Sequence, residues 1–227
     1  LSENIFVVPF TDVNTPVWGD AVFPVPRMFQ HNFWTIHFVG NEVFGMTQGG
    51  WDGMCAVPSF YKSYDSTDIR RNVWLTGVQI SKTGDTLRCN QEKKGQILEY
   101  TVEVTDLEAS YENEGARLVK YDYTDAQNNQ LANDWVVFRY ADVLLMKAEA
   151  IMRKNGGVAT QEAVDLVNQV RARAFPGDAT KLYTIPSLTL NALLSERGWE
   201  LASEGWRRND LIRFGKYNDP LDFRPVA

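Results

Sequence analysis

Between residues 138 and 216 the apolar residues adopt a helical period, and nothing else in the chain restricts its fold as much. Ala141, Leu144, Leu145, Ala148, Ile151 and Met152 recur at i, i+3, i+4, i+7, i+10 and i+11, which gathers them on one helix face. Asn155-Gly156-Gly157 ends that helix, because Gly and Asn take left-handed backbone at least cost. Thr160 opens a second helix with Ala163, Leu166, Val167, Val170 and Ala174 inward, and Pro176-Gly177 stops it. A short connection and small residues at Ala148 and Ala163 predict an antiparallel hairpin of tetratricopeptide type. Such a pair cannot bury both faces by itself, so it is expected to stack on helices this chain lacks.

A third helix is predicted over residues 189–203, with Leu190, Leu193, Leu194 and Leu201 inward, and a short fourth over residues 206–214. Glu196, Glu200 and Glu204 fall at i, i+4 and i+8 and share one stripe. Two carboxylates one helical turn apart have the spacing of a glycosidase pair. Arginines nearby, with Arg197 and Arg207 in the same run, favour instead a structural lock of bidentate charge-assisted hydrogen bonds. The expected members are Glu196, Arg197, Glu200, Glu204, Arg207 and Asp210. Carboxylates paired in that way have lowered pKa values and make poor general acids.

The rest of the chain reads differently. Residues 1–74 show no sustained helical period and carry Pro9, Pro16, Pro24, Pro26 and Pro58, yet are dense in aromatic and aliphatic residues. Long irregular stretches of this kind tend to carry function. Residues 58–72 read as a short helix followed by an Asp-capped turn, with Asp68 and Arg70-Arg71 stapling the segment to the body. Residues 74–123 read as strands over 74–81, 98–105 and 118–121, with turns at Lys82-Thr83-Gly84-Asp85 and Lys93-Lys94-Gly95.

A net charge of -6 argues against a nucleic-acid partner, which needs a basic face to displace phosphate counterions. The most apolar run, residues 136–152, is broken by Arg139, Asp142, Lys147 and Glu149, so it does not read as a membrane span. Cys55 and Cys89 form no disulfide framework and read as two buried free thiols, with a bridge as the alternative. His31 and His37 lack neighbouring ligands and read as packing residues rather than a metal site. Asp12, Asn14 and Asp20 lack the Gly and terminal Glu of a calcium loop. No phosphate loop, nucleophile elbow or zinc motif is present, and no metal or cofactor is expected.

Aromatics make up 12% of the chain, with seven Trp. Trp18, Trp34 and Trp51 stand beside short polar residues, as in Gly49-Gly50-Trp51-Asp52-Gly53. A flat indole face with an adjacent carboxylate suits a sugar, which presents C–H surfaces and hydroxyls together. Trp51, Asp52, Trp34 and Trp18 are therefore the candidate ligand residues, against the alternative that a tryptophan is core. Trp135 and Trp199 read as core.

The string RYADVLLMKAEA (139–150), the helix ending NQVRARA (168–174) and LLSERGWELASEGWRRNDLIRFGK (193–216) together resemble the C-terminal half of the SusD/RagB family. The resemblance implies a mainly α fold with irregular loops and a few short strands, including one tetratricopeptide-type hairpin. It implies an outer-membrane, cell-surface lipoprotein, anchored through a segment preceding Leu1, whose N-terminal helical-repeat half is absent from this chain. It further implies an oligosaccharide ligand, a SusC-like TonB-dependent transporter as partner, and no catalysis. The alternatives are a glycoside hydrolase using Glu200 or Glu204 with Asp52, and a helical-repeat scaffold binding only proteins.

Overall fold

The computed structural model describes residues 3–9, 37–46, 49–106, 109–120 and 134–220. Trp18, Trp34, His31 and the Asp12–Asp20 stretch lie outside them. Among the described residues the molecule is mostly helical, with three two-stranded antiparallel sheets.

The first sheet joins β1 (Asn4–Val8) to a distant strand (Trp135–Arg139), with Phe6 opposite Phe138 and Val8 opposite Trp135. That distant strand runs directly into a helix, Tyr140–Lys154. The helical period read from Phe138 therefore begins two residues early, and Phe138 and Arg139 are extended. The reason is non-local. Tyr140 N–H donates to the Glu3 carbonyl at 2.7 Å, and Ala141 N–H donates to the Glu3 carboxylate at 3.2 Å. Residue 3 thus supplies acceptors and negative charge to a helix N-terminus that lacks a capping side chain of its own.

In chain order the helices are α1 (Asn41–Phe44), α2 (Pro58–Lys62), α3 (Tyr140–Lys154), α4 (Gln161–Ala174), α5 (Leu190–Glu200) and α6 (Arg207–Arg213). Thr160 Oγ1 accepts from Ala163 N–H and Thr189 Oγ1 from Ala192 N–H, so α4 and α5 carry side-chain N-caps. α3 and α4 form the expected hairpin. Ala141, Leu145, Ala148, Met152, Ala163, Val167 and Val170 build its core, with Leu188 and Leu193 packed in from the α5 side. The opposite face of α3 leaves Tyr140, Val143 and Met146 exposed. Among the described residues no helix is long and apolar enough to cross a membrane.

Between the first strand pair and the hairpin, regular structure is sparse. β2 (Trp74–Leu75) pairs with β5 (Arg117–Leu118), and β3 (Gly77–Val78) pairs with β4 (Glu99–Tyr100). The distant strand Trp135–Arg139 is β6. The longer strands expected over 74–81 and 98–105 are these short ladders, extended only by single bridges at Ile80–Thr86 and Arg88–Ile97. Gly77, at φ 74°, breaks the run, sending Trp74–Leu75 to one partner and Gly77–Val78 to another. Asp68 caps a 3-10 turn at Ile69–Val73, its Oδ1 accepting from Arg70 N–H at 2.9 Å.

A second cluster, Ala56, Tyr61, Tyr64, Trp74, Ala116, Leu118 and Ala202, ties α2 and the β2–β5 pair to the end of α5. A third gathers Leu87, Cys89, Leu98 and Tyr100, with Val39 and Val43 against it. The two cysteines are free thiols, but only Cys89 is buried. Cys55 is exposed because residues 51–55 run along the surface; its Sγ lies where a Cβ on Gly115 would come within 2.3 Å.

Ala148 and Ala163 are both fully buried in the hairpin core. Enlarging Ala148 to Leu should therefore destabilise the fold by about 1–3 kcal/mol through overpacking. Chemical denaturation checks this, and an unchanged midpoint would mean that the α3–α4 interface has room to spare.

Candidate ligand-binding site

The loop holding Trp51 is seated on residue 38. A Cβ at Gly49 would meet the Phe38 carbonyl oxygen at 2.1 Å, so only glycine allows this approach. The glycine thus serves close backbone contact rather than an open loop. Two residues on, Asp52 adopts a left-handed backbone at φ 53°, a conformation Asp tolerates better than most residues. Trp51 is left 45% exposed while the Asp52 side chain is buried.

Around this loop lies a pocket of about 300 Å³, lined by Phe38, Trp51, Asp52, Gln91, Glu92, Ser110, Tyr111, Glu112 and Arg117. Three of its members, Phe38, Trp51 and Tyr111, are large aromatic rings more than 40% exposed. Its floor is polar and tightly bonded. Arg117 Nη1 lies 2.7 Å from Asp52 Oδ1, and Nη2 donates to the Glu112 and Glu114 carbonyls at 3.1 and 2.9 Å. Burial outweighs the attraction of Arg117 and pushes the Asp52 carboxyl up to about 6.

Glu112 organises the wall. Its carboxylate accepts from the backbone N–H groups of Asn90, Gln91 and Lys93, and from His37 Nε2 at 2.6 Å. His37 Nδ1 accepts from Val39 N–H at 3.1 Å, which places the proton of the neutral ring on Nε2. Burial would raise Glu112, but His37 and the Lys93 and Gln91 amides hold its carboxyl below the ordinary value. His37 is fully buried and serves packing and orientation. Trp51 and Asp52 are thus brought together with Tyr111, Glu112 and Arg117 from a segment that sequence reading assigned to strands and turns. No periodicity marks Ser110-Tyr111-Glu112-Asn113-Glu114-Gly115; its density of polar groups was the available signal.

The carboxylate stripe of α5 lies in a different cluster. Glu196 accepts from Arg70 Nη1 at 2.7 Å and from Arg171 Nη1 at 2.6 Å. Glu200 takes Arg139 at 2.8 Å, Arg173 at 3.0 Å and Arg70 at 3.2 Å. Glu204, just beyond the helix, pairs with Arg139 Nε at 2.7 Å and with the Lys120 ammonium. Arg197 Nε donates to Asp210 Oδ2 at 2.9 Å, and its Nη1 lies 2.9 Å from Asp142 Oδ1. Burial alone would raise Glu200, yet Arg139 above all, with Arg70 and Arg173, holds it below the ordinary value.

One expected member is displaced. Arg207 donates to the Leu194 carbonyl at 3.0 Å and lies over the Phe60 ring, instead of pairing with a carboxylate of the stripe. It lines a separate, largely apolar cleft of about 420 Å³ with Phe60, Trp74 and Trp199. The cations of the stripe come from Arg70, Arg139, Arg171, Arg173 and Lys120, on four other parts of the fold. Within α5–α6 only Arg197 and Asp210 pair with each other as the motif suggested.

A family model described as the SusD family matches residues 35–222. The chain belongs to the SusD family. SusD-like protein P38 of Formosa agariphila is 38% identical over 114 residues, 46% of this chain and 22% of that protein. SusD-like protein P2 of the same organism is 31% identical over 179 residues, 75% of this chain and 33% of that protein. Surface glycan-binding protein A from Bacteroides thetaiotaomicron superposes on 95% of this chain and 43% of its own with TM-score 0.63, at 25% identity. The chain therefore spans less than half the length of each of these proteins.

Two predictions follow from the stripe of this SusD-family chain. Glu200→Ala should cost about 3–5 kcal/mol, since it strands buried arginine charge, whereas Arg207→Ala should cost clearly less; thermal or urea unfolding of both variants gives the comparison. Equal losses would return Arg207 to the lock. The acid response should also divide by site. Glu200 and Glu149, held below the ordinary 4.5, contribute stability that is present above that value and lost as pH falls through their folded pKa values. Asp52 acts oppositely: between 3.8 and about 6 its folded form holds more protons, so its contribution weakens as pH rises through that window. Melting temperatures from pH 3 to 7 should therefore fall less steeply on the acid side for Glu200→Gln than for the unaltered chain.

Proposed function

We propose that this chain supplies the sugar-capturing surface of a cell-surface, lipid-anchored outer-membrane protein that acts as the lid of a SusC-like TonB-dependent transporter. One observation carries the reading. The pocket at Trp51 combines three exposed aromatic rings with a polar floor whose groups are held by buried hydrogen bonds. Flat rings pack against sugar C–H faces, and fixed carboxylate, amide and hydroxyl groups address the hydroxyls, so a glycan matches both halves of the surface. The likeness to a surface glycan-binding protein, which covers nearly the whole of this chain, supports the same ligand class.

The carboxylates of the α5 stripe support capture without bond cleavage. A glycosidase general acid needs a carboxyl with a raised pKa close to a second carboxylate. Glu200 is held anionic by three arginines, and Glu204 is closed in by Arg139 and Lys120. Asp52 does have a raised pKa, but its side chain faces Arg117 in the other cluster. The protein-only scaffold reading leaves the aromatic pocket without a use.

The test uses the whole protein and a panel of glycans. Binding with no release of reducing ends, together with co-isolation of a TonB-dependent transporter, is the expected result. Titration calorimetry of Trp51→Ala should show affinity for the bound glycan lowered by ~1–3 kcal/mol, roughly 5- to 150-fold, with the melting temperature retained. Unaltered affinity would remove Trp51 from the site, and sustained turnover of a glycan would replace the reading with an enzymatic one.

A further inference from the structure

The pocket at Trp51 also restricts the charge of its occupant, a step that rests on the glycan-binding reading. Its charged lining among the described residues is Asp52, Glu92 and Glu112 against Arg117. That one guanidinium is already engaged: Asp52 takes Nη1, the Glu112 and Glu114 carbonyls take Nη2, and the Tyr100 ring lies 5.3 Å from its centre. Turning it toward a ligand anion would leave the buried Asp52 carboxylate without its counter-ion, a costly exchange. Lys93 is the neighbouring cation, its ammonium 4.3 Å from the Tyr111 ring centroid. With it included, carboxylates still outnumber cations three to two.

Hydrogen-bond polarity points the same way. Ionised carboxylates only accept, so Asp52 and Glu92 call for donors on the ligand. A sugar hydroxyl donates; a uronate or sulfate oxygen offers only lone pairs and a like charge. Gln91 and Ser110 can both donate and accept, and so serve a hydroxyl from either side.

We propose that this pocket selects uncharged sugar units and discriminates against units carrying a carboxylate or a sulfate. Calorimetry of the whole protein against size-matched oligosaccharides tests it, with neutral glucose, mannose and xylose hexamers on one side and hexuronates and sulfated galactan hexamers on the other. Neutral ligands should bind at least about tenfold tighter at low salt, and the gap should narrow as added salt screens the repulsion. Glu92 is exposed, so Glu92→Lys should fold normally and shift the neutral-to-anionic affinity ratio toward the anionic ligands. Anionic ligands binding as tightly as neutral ones overturns the proposal. So does a ratio that Glu92→Lys leaves unmoved, because the ligand then sits elsewhere. Binding of neither class removes the glycan reading itself and this proposal with it, an outcome recognisable by the lack of any ligand rather than by the wrong one.

Discussion

Three carboxylates in one stripe, Glu196, Glu200 and Glu204, hold much of this molecule in register. Each is at least nine-tenths buried at the side chain, and each is met by cations from elsewhere in the chain. Arg70 arrives from the capped turn after α2, Arg139 from the last residue of β6, Arg171 and Arg173 from α4, and Lys120 from the segment after β5. A buried carboxylate without such partners would be expensive, so the elements that carry the partners are held in place by the charge they neutralise. Of the four charges that interrupt the apolar run at residues 136–152, three are used in the same manner, while Lys147 makes an exposed surface pair. Arg139 joins the stripe, Asp142 meets Arg197, Glu149 meets Arg153 and Arg213, and Lys147 meets Glu162.

A short segment links the stripe to the pocket. Arg117, in β5, anchors the Asp52 side chain, while Lys120, three residues later, donates to the carbonyls of Glu200 and Ala202 and to the Glu204 carboxylate. Leu118, between them, is buried against Trp74 and Ala202 in the second core cluster. One extended run of backbone therefore carries the cation of the Trp51 pocket at one end and a cation of the structural network at the other. Glu112 adds rigidity from the opposite wall, since its carboxylate ties the amides of Asn90, Gln91 and Lys93 to the buried His37 ring. A surface whose polar groups are fixed before the ligand arrives loses less conformational freedom on binding.

The aromatic rings complete a division of labour. Trp74 and Tyr100 are buried and belong to cores, while Trp51, Tyr111 and Phe38 present close to half their surface. The difference does not lie in residue type. For Trp51 it comes from backbone that runs along the surface at 51–55, held against Phe38 by a glycine that leaves no room for a side chain.

What the sequence determined by itself is whatever a local period or a local cap can specify. The apolar spacing of α3 and α4, the caps at Thr160 and Thr189, the Asp68 turn and the stop at Asn155-Gly156-Gly157 are all written within a few residues of where they act. The ordered motifs of residues 139–216 placed the chain in its family for the same reason. The exposed Trp51 beside Asp52 was legible as a candidate, because a glycine-flanked tryptophan has little nearby sequence to bury it. Only the tertiary structure decided which cation meets which carboxylate. The arginines adjacent to the stripe in sequence were the natural guess, yet Arg207 turned to the Leu194 carbonyl, and partners 27 to 130 residues from Glu200 took the carboxylate. Long charged side chains pair with whatever packing brings within reach, and sequence distance carries no information about that. Tyr111, Glu112 and Arg117 entered the pocket on the same terms, and β1 found β6 across more than a hundred residues. Such contacts are chosen by the burial of the whole chain, which no local pattern records.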